Sequence, residues 1–469
     1  MLAITAAATL VLVSRVTTLW LGVAAAVFQV ALVPRLYSYP KILVPAVALF
    51  LFHRYATSPT RSRLLQLSLW TGLAVLLRRD LGLVTALACT TGLVAFFASD
   101  LRRASSSVAL YVLGVAGTLI PYLAFIVSTE GLMNSVRDSV EFAKSDAHQF
   151  MLAAAVPAFS FFDEQGFRWS WTRTDAAALL SYLSYLVAGL SWGALFITRP
   201  SRDRAVTWTT MAVGTIFLSL YAITILRHPV VSRVPDMAGV LPILTAWLAW
   251  LVVGAVRTAL SGRRPFASMA AASGATCSLV LMPLVAASVW TLGDIPEKVR
   301  DTGIYGGVRN VAAHIQTLVR AGSEWPWRRF WPAGALPAVV PYLNACTAPS
   351  DRVLLTWAAP EYYFFSRRPF GAGHALFLPS GYRSDHDQEL MLARLTKHRV
   401  PIVLINEDTH AEFADAYPRL DEYLSAEYRP AGRFRHNDGS TIIVAVRHDL
   451  EATGAFEPEG WPCGFDSAE

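Results

Sequence analysis

Three runs of apolar residues set the first limit on this chain. Residues 107–127, 206–226 and 267–292 contain no charged side chain. Each is about 21 residues or longer, enough for a helix to cross a ~30 Å hydrocarbon core. Inside that core a chain must satisfy its own backbone hydrogen bonds, which helices do. The chain therefore reads as an integral membrane protein, mainly α-helical. Its 16% of charged residues falls below the roughly one quarter usual for soluble domains. The 469 residues are thus not a string of soluble domains.

Hydropathy along the chain gives a polytopic bundle of about nine spans. They cover residues 16–34, 41–57, 64–78, 81–98, 107–127, 176–197, 206–226, 238–256 and 267–292. The opening "MLAITAAATLVLV" is apolar like a signal-peptide core, but no basic segment precedes it, and a truncated span is the simpler reading. Basic residues in 53–63, 100–103, 199–204 and 257–264 fall in alternate loops. The positive-inside rule places these loops in the cytoplasm. The formal charge of +6 is explained by such loops, and no basic stripe with interleaved aromatics points to nucleic acid. Loops 35–40, 78–81, 128–175 and 227–237 then face outward, with everything beyond 292.

Two domains follow: a transmembrane domain over 1–292 and an extracytoplasmic α/β domain over 293–469. In the first, Leu132, Val136, Val140, Ala143 and Ala147 recur at helical spacing. That predicts an amphipathic helix over 131–150 on the outer membrane surface. Its carboxylates Glu141 and Asp146 read as the polar face. The aromatic and charged segment 159–173 has the mixture typical of an interface. In the second domain, "RVLLTW", "PIVLI" and "STIIVAV" read as strands between helical patterns at 385–399 and 410–428. Such alternation predicts a largely parallel sheet. Cys89 and Cys277 lie within apolar spans and read as packing residues. If the C-terminal third lies outside the cytoplasm, Cys346 and Cys463 are candidates for a disulfide; sequence does not fix their separation.

No phosphate-binding glycine loop, nucleophile elbow or paired metal-ligand spacing occurs. The histidines are scattered, so a metal site built wholly by this chain is not expected. A carboxylate-bound divalent ion stays compatible with the sequence. What stands out is charge at the outer membrane boundary. Arg35 and Lys41 flank "LYSYP"; Arg79 and Asp80 sit in "LLRRDLG"; Arg227, His228, Arg233 and Asp236 sit in "RHPVVSRVPD". Arginine grips phosphate oxygens bidentately and lysine adds point charge. A phosphorylated lipid carrier presents its head group at this depth. Asp80 is placed to accept a proton from an attacking hydroxyl. The alternative for these residues is loop anchoring and head-group contact, and for "RRD" a local Arg–Asp pair stiffening a turn. In the C-terminal domain, Glu361, Tyr362, Arg367 and Arg368 follow a strand, where α/β domains place binding loops. They are candidates to recognise sugar hydroxyls or a carrier phosphate; the alternative is an aromatic docking patch.

From about residue 30 onward these motifs resemble a bacterial branch of the polytopic glycosyltransferases of the GT-C superfold, related to protein O-mannosyltransferases and aminoarabinose transferases. The residues that carry the likeness are "RLYSYPK", "RRDLG", the "EGL…EF" pattern of 130–142, Arg233 with Pro235 and Asp236, and "CTAPSDRVLLTWAAPEYYFFSRRPFGAG". The resemblance implies a polyprenyl-phosphate sugar as donor and transfer on the outer face of the bacterial inner membrane. The acceptor would be a membrane lipid, an envelope glycan or a protein. The superfold usually carries its catalytic acid in the first outer loop, yet "PRLYSYPK" holds no Asp or Glu. The resemblance thus implies spans and an acidic loop missing upstream; it does not itself move the catalytic role to Asp80, which is a candidate base on its own chemistry and position. Two rivals are a transporter or flippase for a lipid-linked sugar and a non-catalytic membrane assembly protein.

Overall fold

A computed structural model of the chain describes residues 1–32, 39–129, 131–133, 136–137, 140, 144, 159–163, 166–167, 171–198, 205–227, 231–260, 283–293, 295–321, 336–378, 381–435, 440–457 and 459–466. The chain divides into two compact units, residues 1–137 with 150–301 and residues 138–149 with 302–469.

The first unit is helical. Its main helices are α1 (Leu2–Val16), α2 (Leu19–Ala31), α3 (Tyr39–Thr57), α4 (Arg61–Leu77), α5 (Arg79–Phe96), α6 (Leu101–Thr129), α7 (Arg173–Ile197), α8 (Ala205–Arg227) and α9 (Leu241–Leu260). Among the described residues, five helices are long and apolar enough to cross a membrane: Arg79–Phe96, Leu101–Ser128, Arg173–Ile197, Ala205–Ile223 and Leu241–Thr258. Leu83, Leu113, Ile120, Phe125 and Phe196 on them remain exposed, as lipid-facing side chains do. The span expected at 16–34 is corrected. It breaks at Thr17 and Thr18, where the Thr18 hydroxyl accepts a hydrogen bond from the Leu21 amide and starts α2. At 13 residues, α2 is only about 20 Å long. It folds back on α1, with Gly22 packed so closely on Ser14 that a Cβ would overlap its hydroxyl. Spans expected at 41–57 and 64–78 are helices of 19 and 17 residues. Of the span expected at 267–292, residues up to 282 lie outside the described residues, and Pro283–Gly293 (α10) is helical.

Small residues let the helices approach, as membrane interfaces require. Gly72 of α4 packs on Thr118 of α6, and Gly114 of α6 on Ser68 of α4. Thr71 and Tyr111 share a 2.8 Å hydrogen bond across the same pair. At the α4–α5 turn, a Cβ on Gly82 would overlap the Val75 backbone, so the glycine of "RRDLG" is needed for a tight turn. In the expected surface helix, residues 132–133, 136–137, 140 and 144 are helical, and Leu132, Val136 and Val140 are exposed. Ala143, Ala147, Glu141 and Asp146 lie outside the described residues. Phe159, Phe161 and Trp171 pack edge to face beside the two-residue strands Phe162–Asp163 (β1) and Gly166–Phe167 (β2).

The main part of the second unit begins after Ile295–Asp301 (α11), which still belongs to the first. Val308–Ala321 (α12) and Leu336–Cys346 (α13) lead into the sheet. The sheet has four strands in the order β3 (Val353–Leu355), β4 (Ile402–Asn406), β6 (Thr441–Arg447), β5 (Tyr428–Arg435). Only β3 and β4 are parallel; β6 runs antiparallel to both its neighbours. This corrects the expected largely parallel sheet. The reason is connectivity. The β3–β4 crossover carries Pro360–Ser366 (α14) and Asp385–Lys397 (α15), whereas β5 and β6 are joined as a hairpin.

Side-chain alternation splits the core between two faces. Val353, Leu355, Ile402, Leu404, Ile442, Val444 and Val446 join α13 and α14 on one side. Leu354, Val403 and Ala445 join α15, His410–Ala416 (α16) and Pro418–Glu427 (α17) on the other. A disulfide ties Cys346, the last residue of α13, to Cys463 in β8 (Trp461–Asp466), with their Cα atoms 4.7 Å apart. β8 pairs with β7 (Glu451–Phe456) as a separate hairpin.

Candidate functional site

Alternating helix directions bring the start of α3, the α4–α5 turn and the α8–α9 connection to one end of the first unit. Lys41 lies in the first turn of α3, and Asp236 lies in the 3₁₀ segment Val231–Gly239 that leads into α9. Lys41 Nζ donates to Asp236 Oδ2 at 2.5 Å, with both side chains buried. Arg233 Nη1 approaches the same oxygen at 3.8 Å, and its side chain is partly exposed.

The local backbone explains why this pair is so placed. Gly239 packs directly on the Ile42 carbonyl and Pro45, a space no side chain would fit. Gln29 Nε2 donates to the Ala238 carbonyl at 2.7 Å. The Tyr221 hydroxyl, from α8, donates to the Lys41 carbonyl at 3.3 Å. Three helices and the 3₁₀ segment thus converge on one ion pair. Removing water from two charges is costly, so such a pair persists only where geometry is well fixed.

Beside it, α4 ends at Leu77 and Arg78 adopts an extended backbone before α5 begins. Arg78 grips Asp80 bidentately, Nε to Oδ1 and Nη2 to Oδ2, each at 2.7 Å. Oδ1 also accepts from the Leu81 amide at 2.9 Å. The Asp80 side chain stays 54% exposed, against 8% for Asp236, so Asp80 is the carboxylate that an incoming molecule can reach. Arg79 turns elsewhere: its Nη2 donates to the Tyr122 hydroxyl at 2.8 Å, and its guanidinium lies over that ring. The local pair expected of "RRD" therefore exists, but it is made by Arg78 and not by Arg79. Among the described side chains, Lys41, Arg78 and Arg233 against Asp80 and Asp236 make three cationic groups to two anionic ones.

Of the outer-boundary residues singled out from sequence, Lys41, Arg233 and Asp236 meet at one carboxylate, and Asp80 pairs with Arg78 at the same end of the helices. Arg79 flanks that pair. Arg35 and His228 lie outside the described residues, and Arg227 closes α8 with its side chain outside them. Sequence reasoning missed Arg78 and Tyr221. Arg78 was legible as the other arginine of "RRD"; Tyr221 sits in an apolar span with nothing to mark it.

The C-terminal candidates have a different fate. Tyr362 is buried, its ring 5.6 Å from Trp357 and edge-on to it, so it is a core residue and not a sugar platform. Glu361 is half-buried in the first turn of α14. Arg367 takes a left-handed backbone at the end of that helix. Arg368 is buried and donates to Thr347 Oγ1 and to the carbonyls of Asn344, Thr347 and Ser366. It ties down the chain after α13, and a carrier phosphate has no access to it. A pocket of about 260 Å³ instead lies past the ends of β3 and β4, lined by Thr356, Trp357, Phe377, Thr409, Glu412 and Tyr417 among others. None of the four candidates lines it. Burial pushes the Tyr417 phenol up to about 12. Burial, and then Arg394, hold His374 below its usual range. Among the described residues no group of three or more His, Cys, Asp or Glu is arranged to hold a metal ion.

No protein-family model matches the chain, and no curated protein matches its sequence. Among solved structures, it is similar to the Archaeoglobus fulgidus oligosaccharyltransferase tethered with an acceptor peptide containing the NVT sequon. The identity is 12% and the TM-score 0.41, over 99% of this chain and 61% of that one. The chain thus spans about three fifths of that protein's length. It is also similar to ArnT from Cupriavidus metallidurans bound to undecaprenyl phosphate, at 13% identity and a TM-score of 0.42, over 94% of this chain and 82% of that one.

Proposed function

We propose that the chain is a membrane glycosyltransferase that moves a sugar from a polyprenyl-phosphate carrier to an envelope acceptor on the outer face of a bacterial inner membrane. The observation that carries this reading is the pair of charged groups at one end of the helices: Lys41 and Arg233 on Asp236, and Arg78 on Asp80. Arginine and lysine together suit a phosphate head group. In the reaction the bond from the sugar carbon to the carrier phosphate breaks, and a bond from the acceptor oxygen forms. Asp80, the exposed carboxylate, takes the acceptor's proton, while Arg233 and Arg78 hold the charge left on the phosphate. Basic residues gathered in the opposite loops support an outward-facing cluster. The disulfide of the second unit supports an oxidising compartment for that unit.

The test is sugar transfer in membranes supplied with a polyprenyl-phosphate sugar. Asp80→Asn lowers transfer by about 10²–10⁴-fold if Asp80 is the base. One observation favours a second reading, a non-catalytic assembly protein: Arg78 already engages both Asp80 oxygens. Transfer unchanged in Asp80→Asn removes Asp80 from the chemistry, and transfer absent from the parent chain leaves the second reading.

A further inference from the structure

Helix α12, Val308–Ala321, was not marked by any motif, yet it is sharply two-sided. With 3.6 residues per turn, Val308, Val311, Ala312, Ile315 and Val319 fall within about a third of the circumference. Thr317 lies on the opposite side, and Arg309, Gln316 and Arg320 lie between it and the stripe, along one flank. In a soluble protein such an apolar stripe is buried. Here Val308 is 86% exposed, Ile315 53% and Val319 71%. The preceding turn adds Ile304 and Tyr305, at 56% and 76%. It is bounded by Gly303 and Gly307, both at positive φ.

Charge and chain position indicate what covers this face. From residue 302 to residue 322 the sequence carries Arg309, Arg320 and His314 and no carboxylate. A basic, two-sided helix without acidic residues matches an anionic lipid surface. Only six residues separate α12 from α11, which follows the apolar helix α10 directly. Beyond α12 the sequence continues as "EWPWRRFW"; those residues lie outside the described ones, but tryptophans with arginines are the composition of a membrane–water boundary.

We infer that α12 lies in the interface of an anionic bilayer, with Val308, Ile315 and Val319 among the upper acyl chains and Arg309 and Arg320 at the head-group phosphates. This does not depend on sugar transfer.

The experiment uses the full chain in liposomes, with Cys89 and Cys277 replaced by serine and one new cysteine carrying an environment-sensitive fluorophore. The cysteine stands at Ile315 or Val319 on one face, or at Ala313 or Thr317 on the other. The expected result is blue-shifted emission at Ile315→Cys and Val319→Cys, quenched by lipids with a spin label on the upper acyl chain. Ala313→Cys and Thr317→Cys emit as in water and are not quenched. Phosphatidylglycerol in a phosphatidylcholine vesicle increases the quenching, and Arg309→Gln with Arg320→Gln removes that increase. A blue shift without quenching means that protein, another region or a second copy, covers the face, and overturns the inference. Equal, water-like emission from both faces overturns it too. Quenching indifferent to phosphatidylglycerol overturns the role given to the arginines.

Discussion

Lys41 and Asp236 stand 195 residues apart in sequence and meet in a buried ion pair with Nζ and Oδ2 2.5 Å apart. The pair locks the start of α3 to the segment before α9. Removing one partner strands a buried charge, which costs about 3–5 kcal/mol. Lys41→Met alone is therefore expected to lower the thermal midpoint of the full chain in detergent sharply. The double variant Lys41→Met with Asp236→Leu recovers much of the loss, because neither fully buried charge remains and Arg233, the other cation at Asp236, is partly open to water. A single variant as stable as the parent shows that the pair does not hold these segments together.

The Arg78–Asp80 pair behaves differently. Its side chains are 40% and 54% exposed, and ion pairs this open to water contribute about 1 kcal/mol or less. Arg78→Gln is expected to leave the thermal midpoint nearly unchanged. It takes one charge from the proposed phosphate site, so KM for the lipid-linked donor rises about tenfold, equivalent to about 1.4 kcal/mol. Arg79→Gln, which loses a contact to Tyr122, changes KM less. Equal effects from the two variants contradict the assignment of Arg78 to the site.

The Cys346–Cys463 bridge closes a separation of 117 residues. Constraining so long a loop in the unfolded chain is worth about 2–5 kcal/mol. Dithiothreitol, or Cys463→Ser, is expected to lower the midpoint of the second unit's unfolding. The first unit's transition stays put, as its described cysteine Cys89 is buried and unpaired with another cysteine. A reductant-insensitive second unit argues against a bridge in the native protein.

His374 stacks on Tyr382 with ring centroids 4.3 Å apart. Burial first, then Arg394, hold its pKa below the ordinary imidazole value, with Asp387 opposing. The folded state thus binds this proton less readily than the unfolded one. Stability from this residue is complete above the unfolded pKa of about 6.5 and falls as pH drops through that value toward the lower folded pKa. The thermal stability of the second unit is expected to fall below about pH 6.5. His374→Gln flattens that acid-side slope, and an identical slope in the variant assigns it to other groups.

Much of the C-terminal unit was legible. The three expected strands are β3, β4 and β6, because continuous β-branched and aliphatic runs are buried on both faces of a sheet. The helical pattern over 410–428 divides into α16 and α17 at Tyr417, since Pro418 disfavours a helical conformation in the residue before it. Strand β5 was missed. Its Pro430 and Gly432 are poor strand formers, its side chains are mostly exposed, and a register shift falls between those two residues. Its place was decided by the hairpin with β6 and not by its own composition.

What the sequence determined alone was the gross partition: apolar helices long enough for a bilayer, then a mixed strand-and-helix tail. Both follow from periodicity and hydropathy, which are properties of neighbours along the chain. The identities of partners were decided only by tertiary structure. Arg78 rather than Arg79 takes Asp80, because α5 begins between them and turns the second arginine toward Tyr122. Arg368 is consumed by the carbonyls beyond α13, and Tyr362 is turned into the core. Lys41 finds Asp236 across 195 residues. Charge on a sequence marks where an interaction is affordable; which interaction forms depends on the helix packing that brings distant backbones together.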